Sequence, residues 1–122
     1  MKKTYQTGIA GELSAADWLK KQQGMQLVER RYRNKAGEID LVMLDGDIIV
    51  FVEVKTRLYA APGIGLLSVD KKKQQRIARA AMLYLMENGL VKRQVRFDVV
   101  EVTESEVTHI RDAFQPGNMF YL

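Results

Sequence analysis

Residues 37–57 read Gly37-Glu38-Ile39-Asp40-Leu41-Val42-Met43-Leu44-Asp45-Gly46-Asp47-Ile48-Ile49-Val50-Phe51-Val52-Glu53-Val54-Lys55-Thr56-Arg57. Two apolar runs, 38–44 and 47–57, flank Asp45-Gly46, a dipeptide that favours a tight hairpin because glycine accepts a left-handed backbone. The second run is apolar on both faces from Ile48 to Val54, apart from Glu53. A strand of that kind belongs in the middle of a sheet, covered on both sides.

Working outward, residues 8–22 have helical periodicity, with Thr7 as N-cap and Gly24 as terminator. Residues 27–33 form an arginine-rich strand. Beyond the hairpin, 58–67 is a loop broken by Pro62, Gly63 and Gly65. Ser68 is placed to cap a helix over 69–88 that stops at Gly89. Residues 94–102 alternate like a strand, and 107–111 give a short last one. The order is α-β-β-β-α-β with an extra strand, an α/β fold in which helices flank a mixed central sheet. There is no linker, repeat or low-complexity tract, so residues 1–122 read as a single domain.

The 122 residues are 47% hydrophobic and 28% charged, enough for a core and too apolar for disorder. No cysteine excludes disulfides, thiolate metal sites and cysteine nucleophiles, and one histidine leaves no imidazole cage. Any metal would need oxygen ligands from Asp and Glu. The basic start at Lys2-Lys3 leads into no apolar segment, so a soluble cytoplasmic protein with no membrane association is expected. Charge is unevenly spread: 1–53 is neutral, 54–100 carries ten basic against three acidic side chains, and 101–122 is net −3. A basic middle of that kind points to a polyanion, most commonly nucleic acid.

Three carboxylates stand where apolar residues are expected. Asp40 and Glu53 lie within the two apolar strands. A two-residue turn at Asp45-Gly46 sets Asp40 opposite Phe51 and Glu38 opposite Glu53, with Asp40, Phe51, Glu53, Lys55 and Arg57 on one face. Glu12 shares a helical stripe with Gly8, Ala15, Ala16 and Leu19. Burying such acids costs several kcal/mol unless they are paired or bind a cation. Ordinary ion pairs, Glu53 with Lys55 or Asp40 with Arg57, are one solution. A hard divalent cation, Mg²⁺ or Mn²⁺, held by Asp40 and Glu53 with water completing its sphere, is the other. Lys55 would then stabilise developing charge on a phosphate or position the attacking water.

Gly8-Ile9-Ala10-Gly11-Glu12, Gly37-Glu38-Ile39-Asp40-Leu41-Val42, Phe51-Val52-Glu53-Val54-Lys55-Thr56-Arg57 and Arg96-Phe97-Asp98-Val99-Val100 together resemble the bacterial YraN-like family. That family falls within the PD-(D/E)xK nuclease superfamily and is related to archaeal Holliday-junction resolvases. The resemblance runs over nearly the whole chain and implies a restriction-endonuclease-like α-β-β-β-α-β core. It implies Asp40 and Glu53 as metal ligands, Lys55 as the catalytic lysine and Glu12 as a helix-borne acid completing the site. No proline precedes Asp40; Glu38-Ile39 stands there, as is usual for this branch.

Candidate nucleic-acid contacts are Lys72, Arg76 and Arg79 on one helix face, Lys71 and Lys73 widening it near its start, and Arg31 and Arg33 next to the Asp40 strand, with Arg57 following Lys55. Tyr59 is available to stack on a splayed base. His109 reads as a surface or packing residue. The expected activity is metal-dependent hydrolysis of phosphodiester bonds in DNA, with branched or damaged DNA as candidate substrates. The alternative is a nucleic-acid-binding module that keeps the fold but does little or no hydrolysis alone. Resolvase-like relatives imply a homodimer, since two symmetric cuts need two sites.

Overall fold

Gly24, in the left-handed conformation (φ 67°), ends a helix, α1, that spans Lys2–Gln23. The computed structural model describes residues 2–57 and 69–116. Thr7 lies inside α1 and is not its cap, because the helix continues six residues toward the N-terminus of the expected start. Tyr59 and Ser68 lie outside the described residues. Three strands follow in antiparallel succession: β1 (Gln26–Asn34), β2 (Gly37–Asp45) and β3 (Ile48–Thr56). Helix α2 (Lys71–Glu87) then crosses to β4 (Val95–Val102), which runs parallel to β3, and β5 (Val107–Ile110) closes the far edge. The sheet order β1-β2-β3-β4-β5 puts β3 at its centre, as its two-sided apolarity requires.

The β2–β3 turn differs from expectation by one residue. Asp45 pairs with Ile48, so Gly46 and Asp47 form the turn, and Val42 faces Phe51. Gly46 has φ 62°, while Asp45 and Asp47 keep negative φ. Placing glycine at the first central position lets it absorb the only left-handed backbone, the pattern of a type II′ loop. Moving the turn by one residue moves the pairing by two, which preserves the face each side chain occupies. Phe51 is therefore not opposite Asp40, but their common face survives.

Helix α2 begins two residues later than expected. Asp70 is its N-cap, with its carboxylate accepting the Lys73 N–H at 2.9 Å. At the other end Asn88 caps the helix and Gly89 turns the chain with φ 66°.

Two apolar layers sandwich the sheet. On one face Ala15, Ala16 and Leu19 of α1 pack on Leu41, Met43, Val50, Val52, Val100 and Val102. On the other, Ile77, Ala81, Tyr84 and Leu85 of α2 pack on Val42, Phe51, Phe97 and Val99. Among the described residues, no helix is long and apolar enough to cross a membrane.

The contact that places α1 along the sheet is at Gly11. A β-carbon there would overlap the Thr56 hydroxyl and stand 3.2 Å from Thr56 Cβ. Only glycine lets the helix approach the end of β3 this closely, and the next residue is Glu12. Gly11→Ala should therefore cost about 1–3 kcal/mol and lower the melting temperature by several degrees. Gly11→Ala combined with Thr56→Ala should recover part of that loss, a coupling measurable in a double-mutant cycle. Strict additivity of the two changes would mean that the two residues do not limit the approach.

Candidate active site

At Asp40 the sheet opens. The β2–β3 pairing runs from Asp45–Ile48 to Leu41–Val52 and stops there. The Val54 N–H donates instead to Asp40 Oδ2 at 2.8 Å. A carboxylate has taken the place of a strand carbonyl. Ile39 and Val42, three residues apart, both reach the α2-side core, so side-chain alternation is broken at this point. The parting exposes a pocket of about 340 Å³ lined by Gly37, Glu38, Asp40, Glu53, Lys73, Arg76 and Ile77.

Glu53 is buried and is answered by two ammonium groups. Lys73 Nζ lies 2.8 Å from Glu53 Oε1, and Lys55 Nζ lies 3.4 Å from the same oxygen. The expected Glu53–Lys55 pair is thus present, but Lys73 of α2 is the nearer partner. Burial and the neighbouring Lys73 charge push Lys55 below the usual lysine range, against the pull of Glu53. Burial would lower Lys73 too, but its contact with Glu53 outweighs that and holds it raised.

Among the described residues, no ammonium or guanidinium group pairs with Asp40 in this way. Burial, and then the Glu53 charge, push its carboxyl up to about 7, although the Val54 N–H works in the opposite direction. Glu12, buried on α1, is also raised by burial, with Arg31 opposing. Arg31 Nε lies 3.3 Å from Glu12 Oε1 and 3.8 Å from Glu38 Oε1, so one guanidinium links the helix acid to the sheet. Arg31 does this from a left-handed backbone (φ 54°), a conformation that costs a non-glycine residue strain.

The other expected site residues divide clearly. Glu38 is paired with Arg33, whose Nη2 lies 3.1 Å from its carboxylate. It does not stand opposite Glu53 as expected, because the β2–β3 register is shifted by two residues and the pairing ends at Leu41–Val52. Arg76 lines the pocket, while Lys71, Lys72 and Arg79 are exposed along α2. The Arg57 backbone N–H bonds to Val102, and its buried Nε has no hydrogen-bond partner among the described residues.

Lys73 was recoverable from the sequence. It precedes the buried Ile77 by one turn, whereas Lys71 and Lys72 do not share that stripe. A second buried acid, Asp98, sits in an apolar strand like Asp40. It accepts from Arg96 at 2.9 and 3.0 Å and from the Asp112 N–H at 3.0 Å, and lies 2.7 Å from His109 Nε2. Burial would raise Asp98, but His109 and Arg96 hold it below the usual carboxylate range. His109 is therefore a packing residue with a polar duty, its ring edge-on to Trp18 at 5.8 Å.

Among the described residues, no group of three or more acidic or imidazole side chains is placed to hold a metal ion. Of the three carboxylates lining the pocket, Glu38 is paired with Arg33 and Glu53 with Lys73 and Lys55, while Asp40 is under-compensated. That suits a hard cation that keeps most of its water and gains further oxygens from a phosphate.

The model of the uncharacterised protein family UPF0102 matches residues 11–102, a span holding Glu12, Asp40, Glu53, Lys55 and Lys73. A UPF0102 protein of Stutzerimonas stutzeri is 42% identical over 120 residues, covering 94% of this chain and 99% of the relative. One from Alkalilimnicola ehrlichii is 44% identical over 114 residues, covering 92% and 90%. One from Alkaliphilus metalliredigens is 42% identical over 110 residues, covering 88% and 96%.

The raised Asp40 carboxyl has a consequence for stability. Its folded pKa, about 7, lies above the ~3.9 of an unfolded aspartate, so folding takes up a proton between those values. The penalty is absent below the unfolded value and grows as pH rises toward the folded one. In metal-free buffer Asp40→Asn should melt above the wild type at pH 8, with the margin narrowing by pH 5. A margin independent of pH would mean that Asp40 ionises normally in the fold.

Proposed function

The chain belongs to the UPF0102 family, and we propose that it is a divalent-metal-dependent nuclease that hydrolyses phosphodiester bonds in DNA, with branched or damaged DNA as its substrate class. The observation that supports this reading is the pairing of Asp40 and Glu53 in one pocket with Lys55, Lys73 and Arg76 around them. Structural acids in a sheet are saturated by donors, as Asp98 is; Asp40 is raised and faces a pocket.

In this reading Asp40 and Glu53 hold Mg²⁺ or Mn²⁺. The ion, when bound, supplies the positive charge that lowers the pKa of a water nucleophile and offsets charge on the phosphate oxygens. The Val54 N–H fixes one Asp40 oxygen, which leaves the other to face the pocket. Lys55 stands on the same strand as Glu53, with its ammonium at the acid's Oε1, where it can donate to an oxygen of the scissile phosphate. Glu12, held by Arg31, presents a carboxylate for orienting the attacking water. Arg76 at the pocket and the exposed Lys71, Lys72 and Arg79 continue the positive charge along α2 for neighbouring phosphates.

A second reading, a nucleic-acid-binding module with little activity alone, is favoured by one observation. Two ammonium groups already compensate Glu53. Retained DNA affinity with no turnover under any metal would select it.

Two measurements test the nuclease reading. Nicking of supercoiled or branched DNA with Mg²⁺ or Mn²⁺ should fall at least ~100-fold in Asp40→Ala and Glu53→Ala. Equal cleavage in wild type and variants would assign it to a contaminant. In thermal melts at fixed ionic strength, ~10 mM Mg²⁺ on a ~1 mM site should add about 1.4 kcal/mol and raise the wild type by roughly 3–6 °C. Asp40→Asn should start higher without metal and respond little to it.

A further inference from the structure

Lys73 does something that hydrolysis by Asp40, Glu53 and Lys55 does not require. Its neighbours Lys71 and Lys72 are exposed, but Lys73 lies one turn before the buried Ile77, on the stripe of α2 that packs against the sheet. Its ammonium is nearer to Glu53 Oε1 than that of Lys55, at 2.8 against 3.4 Å. The backbone that carries it is anchored. Asp70 accepts the Lys73 N–H at 2.9 Å, and the Gln74 side chain donates to the Val69 carbonyl at 3.0 Å.

Glu53 already has a cation on its own strand, so the second comes from a different element and enters the same pocket as Asp40. Lysine carries a compact charge on a flexible stem, able to move its nitrogen by several ångströms without moving the helix. An ammonium group 2.8 Å from a carboxylate oxygen stands where a divalent ion shared with Asp40 would have to approach.

We propose that Lys73 is a tethered counter-ion of the metal site, which neutralises Glu53 while no metal is bound and has to be displaced before a divalent cation can enter. This rests on Asp40 and Glu53 being the metal ligands. The protein then binds metal weakly on its own, and the cation that arrives competes with a charge the fold supplies. Lys73 is in this sense a positioning residue for Glu53 and a gate for the ion.

The experiment is Mn²⁺ binding to the free, full-length chain, followed by calorimetry and by the spin-resonance signal of unbound Mn²⁺. Wild type is compared with Lys73→Met, Lys73→Gln and Lys72→Met. Lys73→Gln keeps a donor for Glu53 and covers the case in which the apolar replacement disturbs folding. Lys72→Met removes the same charge from the same turn of α2 at an exposed position. The expected result is about fivefold tighter Mn²⁺ binding in both Lys73 variants, with Lys72→Met within about twofold of wild type. Unchanged or weaker binding in both Lys73 variants overturns the tether while leaving the metal site standing. An equal gain in Lys72→Met also overturns it, because the effect would then belong to the general field of the helix. Absence of Mn²⁺ binding in all four proteins removes the metal-site reading itself, and the tether with it.

Discussion

A single side chain-to-backbone hydrogen bond determines how this sheet ends. Asp40 Oδ2 accepts the Val54 N–H at 2.8 Å, just beyond the last β2–β3 pair. With that donor satisfied by a side chain, β2 no longer needs to follow β3. The strands part, and the gap becomes the pocket. On one side α2 brings Lys73 and Arg76 into it. On the other, Gly11 seats α1 against Thr56 and Glu12 follows beside Arg31. If Asp40 were apolar, the Val54 N–H would need another acceptor, and closing the ladder would remove the pocket.

The molecule contains its own comparison for what a buried carboxylate means. Asp98, fully buried in β4, is surrounded by Arg96, His109 and a backbone N–H, and is held in its charged form. Its low dielectric surroundings strengthen every one of those contacts. That is an acid serving the fold, linking β4 to β5 and, through Arg96 and Asp45, to the β2–β3 turn. Asp40 has, among the described residues, the Val54 N–H as donor and Glu53 as a neighbouring acid, and is pushed toward neutrality. Beyond its one backbone contact, a carboxyl raised in this way costs the fold stability, and such groups cluster at functional sites.

Most of the fold, and the acids that mark the candidate site, were legible in the amino-acid sequence, for identifiable reasons. The strand containing Glu53 is apolar on both faces, which fixed its central place, and the misplaced acids Glu12, Asp40 and Glu53 marked the site. The face that Asp40 shares with Glu53 survives the shifted turn, because one residue of turn moves the register by two. What was not legible depended on tertiary packing. The start of α2 was read at Ser68 although Asp70 caps it, since both residue types cap well and only the fold chooses. The acid partners of Arg31 and Arg33 depend on β1 lying against β2 at Glu38. Lys73 was submerged in a run of three lysines, and helical phase alone distinguishes it. Asp98 gives the same sequence signal as Asp40, and only its partners show the difference.

The proposed function depends on Asp40 and Glu53 forming one cation site at the parting of β2 and β3. Anomalous diffraction from a crystal soaked in Mn²⁺ tests it without knowledge of any substrate. One strong peak is expected within coordination distance, about 2.0–2.4 Å, of oxygens from both Asp40 and Glu53, with the Lys73 ammonium moved off Glu53. A well-diffracting soaked crystal with no peak there, and Lys73 still on Glu53, would contradict it.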